Sequence, residues 1–365
     1  MNTFRGHTVD PALFDGPVPL SGGETKPLRA IALAEPGDVV WVPESTLALA
    51  RSMLTYYEEM GIVRDVLLTS EWPRALSRGQ QLDVLFFGTA AHALAPNEYR
   101  LRASLRWNSK NNFLRDAKEL GGNVPYTKFI DKGSFRVPGF VKNLPIYLRT
   151  EGATVVLKAA VSAGGKDVLI CRTAMELMRA IESDQFFGRD VQVQEYLSDA
   201  TFYGVQYARG RIFVTEQVMN SHGAYAGAIP VCNRELVEAM HTTTRRVISA
   251  VAGEEIPIFS LDVAVAADGR ILLLECNPRY GGTSFPWLLA ERIGLSASQW
   301  EYRYIPCRQG IDPFRTCLTT AKLPGQMVGA IVVDPGVDHG EVGVMFVGNE
   351  SARRSLIRAC TQLLA

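Results

Sequence analysis

The sequence predicts two kinds of architecture in one chain, a small parallel α/β lobe followed by a larger α+β region. Up to about residue 107, short apolar runs alternate with helical patterns, the order that builds a parallel sheet. After about residue 125 the texture changes to strands joined by glycine turns, with helical patterns near 173–183 and 233–252. Asp268-Gly269 lies between two apolar runs, a strong signal for an antiparallel hairpin.

Residues 1–27 hold four of the 19 prolines and a Ser21-Gly22-Gly23 turn, and read as an irregular lead-in. Val39-Val40-Trp41-Val42 reads as a strand, Leu47 to Met60 as a helix ended by Gly61, and Asp65-Val66-Leu67-Leu68 as a second strand. Asp83 to Phe87 is expected as a buried strand stopped by Gly88. Asn108-Ser109 offers a helix cap, and Phe113, Leu114, Ala117 and Leu120 follow at helical spacing up to Gly121-Gly122. Val155 to Lys158 is a short apolar strand closed by a lysine. The stretch 301–365 shows strands near 327–333 and 342–347 and a helix from about Ser351, expected to complete the larger lobe.

Lysine plus arginine and aspartate plus glutamate both total 38, so the net charge is zero. That balance argues against a dedicated nucleic-acid binder, which needs a basic excess to neutralise phosphates. At 47% hydrophobic and 21% charged residues, the chain can bury an ordinary core. Its apolar runs fall far short of the ~20 residues of a membrane span. Met1 to Pro19 lacks the apolar segment of a secretory signal. Six cysteines without a CxxC pair suggest neither a disulfide framework nor a zinc knuckle. The expectation is a reduced, cytoplasmic protein acting on small molecules, away from membrane and nucleic acid, and able to form a homodimer.

Chemistry concentrates in Ser260 to Arg279. A two-residue turn at Asp268-Gly269 would pair Ala267 with Arg270 and set Asp262 opposite Glu275 on one face, β-carbons ~4.5–5.5 Å apart. Asn277 lies two residues beyond Glu275, on the same face by the pleat. Two facing carboxylates repel unless a cation or proton lies between them. Hard oxygen ligands of this kind suit magnesium, with manganese as a substitute. The bland alternative is a pair of solvated acids. Pro278 ends the ladder and leaves Arg279 beside the acids, while Cys276 turns to the opposite, packed face.

These residues resemble the ATP-grasp ligases. Glu275-Cys-Asn-Pro-Arg279, after a strand bearing Asp262, looks like that family's metal signature, with Asp262, Glu275 and Asn277 as ligands. Upstream, Lys110 resembles the lysine that reaches ATP phosphate, and Lys158 the strand lysine that contacts the nucleotide's phosphates. Ser162-Ala-Gly-Gly-Lys-Asp-Val168 resembles the glycine-rich loop over those phosphates, with Ser162, Gly164, Gly165 and Lys166 toward the nucleotide. Gln192 to Leu197 resembles the hinge strand whose backbone holds adenine, through Glu195, Tyr196 and Leu197. The family's ribose-binding glutamate is missing from the stretch Asp199 to Gly204, so ribose contact either passes to Asp199 or is looser. The resemblance implies an ATP-grasp fold with an N-terminal parallel α/β domain over 1–107. The ATP-grasp domain would span 108–300, with a nucleotide-covering part at about 125–195 and a metal-bearing lobe at about 196–300, and 301–365 would complete that lobe. It implies ATP and magnesium as cofactors, and a ligase that activates a carboxylate as an acyl phosphate and couples it to an amine. Bicarbonate or another small acid as substrate, and a regulatory module without turnover, are the alternatives.

By their own chemistry several of these residues keep a second reading. Glycines 164 and 165 let backbone N–H groups approach phosphate, whereas Lys166 could equally be a solvated charge. Lys158 could reach solvent along its stem. Gly281, Gly282, Thr283 and Ser284 precede an apolar helical stretch with Pro286 in its first turn. They could hold a substrate carboxylate at a helix start or simply cap it. Arg279 is assigned to stabilising the acyl phosphate, with Lys158, as a catalytic residue. His222, in a glycine-alanine loop, is a weak substrate-binding candidate. The basic residues Arg100, Arg102, Arg106, Arg115 and Lys118 are expected on a solvated face.

Overall fold

The computed structural model describes residues 2–10, 12–13, 24–136, 154–162, 167–220, 223–308, 311–318, 328–336 and 340–364. The first unit is a four-stranded parallel sheet. Its strands are β1 (Thr3–Gly6), β2 (Val39–Trp41), β3 (Leu67–Thr69) and β4 (Gln81–Val84), in the order β3-β2-β1-β4. Helix α1 (Leu47–Glu59) buries Ala50, Met53, Tyr56 and Tyr57, and crosses over between β2 and β3. The lead-in reading is corrected here, because Thr3–Gly6 is an interior strand of this sheet. With only four residues, bounded by residues of low strand propensity, it offers no run long enough to read as a strand. The strand expected at 65–68 spans Leu67–Thr69, and that expected at 83–87 spans Gln81–Val84. Asp65 adopts φ 53° and stands outside the ladder. Leu85, Phe86 and Phe87 are buried after the end of β4.

Helices α2 (Thr89–Leu94), α3 (Glu98–Asn108) and α4 (Lys110–Glu119) follow. Ser109 accepts the Asn112 N–H and so caps α4, as the sequence predicts. A second sheet, antiparallel and four-stranded, has the order β5-β8-β6-β7: β5 (Thr127–Ile130), β6 (Val155–Ala159), β7 (Val168–Cys171) and β8 (Val191–Glu195). The helix Ala174–Glu182 packs Leu177 and Ile181 beneath it.

The largest sheet has eight strands. In chain order they are β9 (Thr201–Ala208), β10 (Arg211–Met219), β11 (Tyr225–Pro230), β12 (Ile258–Val265), β13 (Ile271–Asn277), β14 (Trp300–Pro306), β15 (Gly329–Asp334) and β16 (Glu341–Val347). Across the sheet the order is β13-β12-β9-β10-β11-β14-β16-β15. The helix Arg234–Gly253 buries Met240, Val247 and Val251 against one part of it. The helices Ser284–Arg292 and Glu350–Leu364 pack elsewhere, around Trp287, Trp300 and Phe346. No helix among the described residues is long and apolar enough to cross a membrane.

Candidate active site

The hairpin β12–β13 delivers the two acids, by a different route from the one expected. Its turn has three residues: Gly269 N–H donates to Ala266 C=O and Ala266 N–H to Arg270 C=O, with Gly269 at φ 83°. Ala266 therefore faces Arg270, and Val263 pairs with Leu273. The register then shifts by one between Val263 and Asp262, so that Asp262 faces Glu275 and Ser260 faces Asn277. A bulge near Leu274 thus cancels the longer turn. The predicted pairing of Ala267 with Arg270 is wrong, whereas that of Asp262 with Glu275 holds.

Three cations converge on this pair. Lys110, at the first turn of α4, lies 2.9 Å from Glu275 Oε2. It also donates to the Ser162 hydroxyl at 3.2 Å and carbonyl at 3.3 Å. Lys158, in β6, donates to Gln194 Oε1 at 2.7 Å. Burial pushes its pKa down to about 8, against the pull of Glu275 and Asp262. Arg279 is buried and donates from Nη1 to Asn108 Oδ1, at the end of α3. Asn277 Nδ2 reaches Glu275 Oε1 at 3.2 Å and Asp262 Oδ2 at 3.5 Å, and Gln217 Nε2 donates to Asp262 Oδ1 at 3.0 Å.

The two carboxyls are electrostatically unequal. Burial and the facing Glu275 push the Asp262 pKa well above the carboxylate range. Burial acts the same way on Glu275, but Lys110, the hydrogen bond with Asp262 and Lys158 together outweigh it and hold that carboxyl low. The pair therefore shares its negative charge unevenly, with Lys110 as the nearest counterion.

The set fits a magnesium ion: two carboxylates face each other across one pleat, an amide stands beside them, and all the donors are hard oxygens. Asn277 presents its N–H₂ to the acids here, so serving a cation would require its amide to turn over. Among the described residues, no group of three or more His, Cys, Asp or Glu side chains forms a metal cluster. Among the described residues, two buried polar groups stand unpartnered nearby: both amide atoms of Gln192, opposite Lys158 in the ladder, and the Thr215 hydroxyl, in register with Gly204 and through it with Asp262.

Three solved structures resemble this arrangement along most of the chain. An N5-carboxyaminoimidazole ribonucleotide synthetase from Thermus thermophilus superposes with a TM-score of 0.58 at 14% identity, covering 100% of this chain and 99% of that one. The biotin carboxylase domain of a Hydrogenobacter thermophilus 2-oxoglutarate carboxylase, solved with MgADP and bicarbonate, gives 0.59 at 12% identity, covering 98% and 89%. An L-amino acid ligase from Bacillus licheniformis gives 0.54 at 12%, covering 77% and 79%. This chain has the ATP-grasp fold. No family model matches the sequence, and no curated protein matches it.

Within the ATP-grasp fold, the remaining predicted residues fall as follows. Glu195 closes β8, where its carboxylate accepts the Tyr126 N–H at 2.9 Å and its own N–H donates to Tyr126 C=O. Tyr196 is exposed, Leu197 half-buried, and Asp199 exposed in the left-handed region at φ 55°. The loop 281–284 leads into the helix Ser284–Arg292. Thr283 makes no side-chain cap; its hydroxyl meets Tyr225 Oη at 2.9 Å. Ser284 Oγ accepts the Gly281 N–H and donates to Gln206 Oε1 at 3.1 Å. Any β-carbon at Gly282 would stand 2.8 Å from the Tyr225 ring, so glycine is required for that approach. Gly164, Gly165, Lys166 and His222 lie outside the described residues.

Several functional partners escaped the sequence reading. Asn108, expected as a cap, is the acceptor for Arg279. Gln194, Gln206 and Gln217 hold Lys158, Ser284 and Asp262 respectively. A glutamine interrupting an apolar strand was the available signal, since buried amides need partners. Arg100, expected on a solvated face, is half-buried with its guanidinium 4.2 Å over the Phe87 ring.

Proposed function

We propose that the chain is an ATP-dependent ligase that activates a carboxylate as an acyl phosphate and passes the acyl group to an amine, releasing ADP and phosphate. The observation that carries this reading is the convergence of Lys110, Lys158 and Arg279 on the facing pair Asp262–Glu275. Phosphoryl transfer asks for positioning and charge neutralisation rather than a protein nucleophile. Lys110 and Lys158 would take the triphosphate's charge, exchanging Glu275 and Gln194 for phosphate oxygens. Magnesium, held by Asp262, Glu275 and Asn277, would neutralise the phosphate oxygens further. The guanidinium of Arg279, held by Asn108, would fork onto the oxygens of the attacking carboxylate and the γ-phosphoryl group. Gly281 to Ser284 would seat the carboxylate substrate.

A second reading takes bicarbonate as the acid. It is favoured by the likeness to the synthetase and the carboxylase domain, which spans nearly the whole chain, whereas the amino acid ligase covers 77% of it. A single experiment separates the two: ADP release with amino acids and peptides taken pairwise, in parallel with amines plus labelled bicarbonate. Label retained in product supports bicarbonate, and release only with organic acids supports the peptide-type ligase. ATP consumption that no acid stimulates would sink both.

A further inference from the structure

Around Tyr225, whose hydroxyl meets Thr283, and around Phe285 lies a cationic cluster that the ligase chemistry above does not use. Arg29 comes from the 3₁₀ helix Lys26–Leu33 that follows β1. It is 6% exposed, and its guanidinium lies 4.5 Å from the Phe285 ring, in the first turn of the helix Ser284–Arg292. Its Nε is used by the Lys26 carbonyl at 3.1 Å, and Nη1 comes no nearer than 4.0 Å to Asp334 Oδ2. Among the described residues, neither Nη makes a hydrogen bond. Arg303, in β14, likewise spends only Nε, on Glu301 at 3.1 Å. Both guanidinium groups are within electrostatic reach of the Tyr225 hydroxyl, which holds Thr283.

The local acids are already engaged. Asp334 is fully buried and is held by Lys26 at 2.5 Å, Tyr304 Oη at 2.8 Å and the Gly336 N–H at 3.3 Å. Glu301 is shared between Arg303 and Arg353. Four cations thus face two buried carboxylates, and Glu341, exposed at the start of β16, acts only at a distance on Lys26. A buried arginine whose fork is unspent is costly unless an anion arrives to use it.

We infer that Arg29 and Arg303, with the Tyr225 hydroxyl, bind an oxyanion on the amine substrate, so that the enzyme takes amines bearing a carboxylate or phosphate rather than neutral ones. The inference rests on the ligase reading for which substrate it concerns, but the cluster's anion binding can be measured without turnover. Guanidinium forks match both carboxylate and phosphate geometry. The bound anion would lie beside Tyr225 and Thr283.

The first test compares, in the ADP-release assay, amino acids, their amides and decarboxylated amines, and phosphate-bearing amines. Active amines should carry the anion, and its removal should raise KM for the amine by ~10–100-fold with KM for ATP unchanged. Preference for carboxylate over phosphate, or the reverse, identifies the source of the oxyanion. In Arg29→Met, which keeps the stem over Phe285, that discrimination should fall to within about threefold. The second test is calorimetric titration of the ADP-saturated protein with N-acetylglycine and with inorganic phosphate, using wild type and Arg29→Met. Wild type should bind one of them at millimolar concentration, and the variant should bind at least tenfold more weakly. Arg29→Lys, keeping the charge but losing the fork, guards against a folding defect and should bind at an intermediate level. Turnover of neutral amines as good as charged ones, or anion binding unchanged in Arg29→Met, would overturn the inference while leaving the ligase intact. If no amine supports ADP release, the ligase reading fails, and the titration alone decides the anion site: binding lost in Arg29→Met upholds it, and no binding to wild type ends it.

Discussion

Asp262 and Glu275 face each other yet differ in what their removal should do. Asp262 is the member kept from ionising by burial and by its neighbour. Asp262→Asn relieves that repulsion, so the nucleotide-free protein should melt no lower than wild type while losing at least ~100-fold in kcat. Among the described residues, Glu275 is the sole carboxylate within 4.0 Å of the buried Lys110 ammonium, so Glu275→Gln should lose activity and also stability, by about 1–3 kcal/mol. Thermal unfolding beside an ADP-release assay checks both, and Mg-dependent turnover surviving in either variant would remove the metal assignment. Arg279 is the third residue to test. Arg279→Lys keeps the charge and loses the fork, so ATP binding should persist while kcat falls by the ~2.7–4 kcal/mol of one lost oxyanion donor. Weakened ATP affinity at normal kcat would make Arg279 a nucleotide ligand instead. These acids were legible because the sequence pattern around Asp268-Gly269 constrains pairing over a short distance. Asn108 was not, since its partner stands 171 positions along the chain, and nothing local signals such a meeting.

At the scale of elements, the eight-stranded sheet is least continuous between β11 and β14, which share only two paired positions. Gly227 sits at that seam with φ 155°, and a β-carbon there would stand 2.2 Å from the Tyr302 carbonyl oxygen. Backbone cannot yield as a side-chain tip can, so Gly227→Ala should cost about 2–4 kcal/mol in chemical denaturation. A midpoint shifted by less than a tenth of the wild-type value would show that the seam tolerates separation. The hairpin β12–β13 shows how a correct pairing can arise from an incorrect local model. The Asp-Gly signal is satisfied by a three-residue turn with Gly269 in the left-handed region as well as by a two-residue one. Choosing between them depends on how β13 meets its surroundings, where the Leu273 N–H leaves the hairpin for the Asn123 carbonyl. That contact is non-local and invisible in the segment itself. Long, strongly patterned elements such as the helix Arg234–Gly253 were readable for the opposite reason, because periodicity alone defines them.

For the molecule as a whole, the N-terminal sheet is fastened to the large one through a buried polar knot. Asp83 accepts from Tyr280 Oη at 2.9 Å and pairs with Arg5, while His7 Nε2 lies 3.5 Å from it. The Tyr280 N–H donates to the Leu85 carbonyl, and Phe86 bridges to Arg279. Burial pushes the His7 pKa below its ordinary 6.5, so the unfolded chain takes up a proton there first as pH falls. Burial alone would raise Asp83, but His7, Arg5 and the Tyr280 hydroxyl hold it well below 3.8. Both shifts have the same sign. Stability from His7 should be complete above about pH 6.5 and decline below it, and that from Asp83 should be lost only below its unfolded value near 3.8. Denaturation midpoints from pH 8 to 5 should therefore fall, and His7→Phe should flatten the upper part of that slope. An identical slope in the variant would place the titrating group elsewhere. The interior strand of that sheet, four residues long and close to the start of the described chain, was not legible, because its place depends on two partner strands arriving from up to about 80 residues away.

The corner between α3 and α4 puts Asn108 and Lys110 two positions apart, one against Arg279 and the other against Glu275 and Ser162. An α-helix turns about 100° per residue, so one residue inserted into or removed from α3 would swing this corner by more than a quarter-turn. Both anchors would leave their partners together. Chain length is therefore fixed between Asn97, which caps α3, and Ser109, which caps α4, to the single residue. Descendants of this sequence can vary in length on the exposed turn at Asp268-Gly269, where no described residue comes within 4 Å of a β-carbon at Gly269, but in α3 they can vary only in composition.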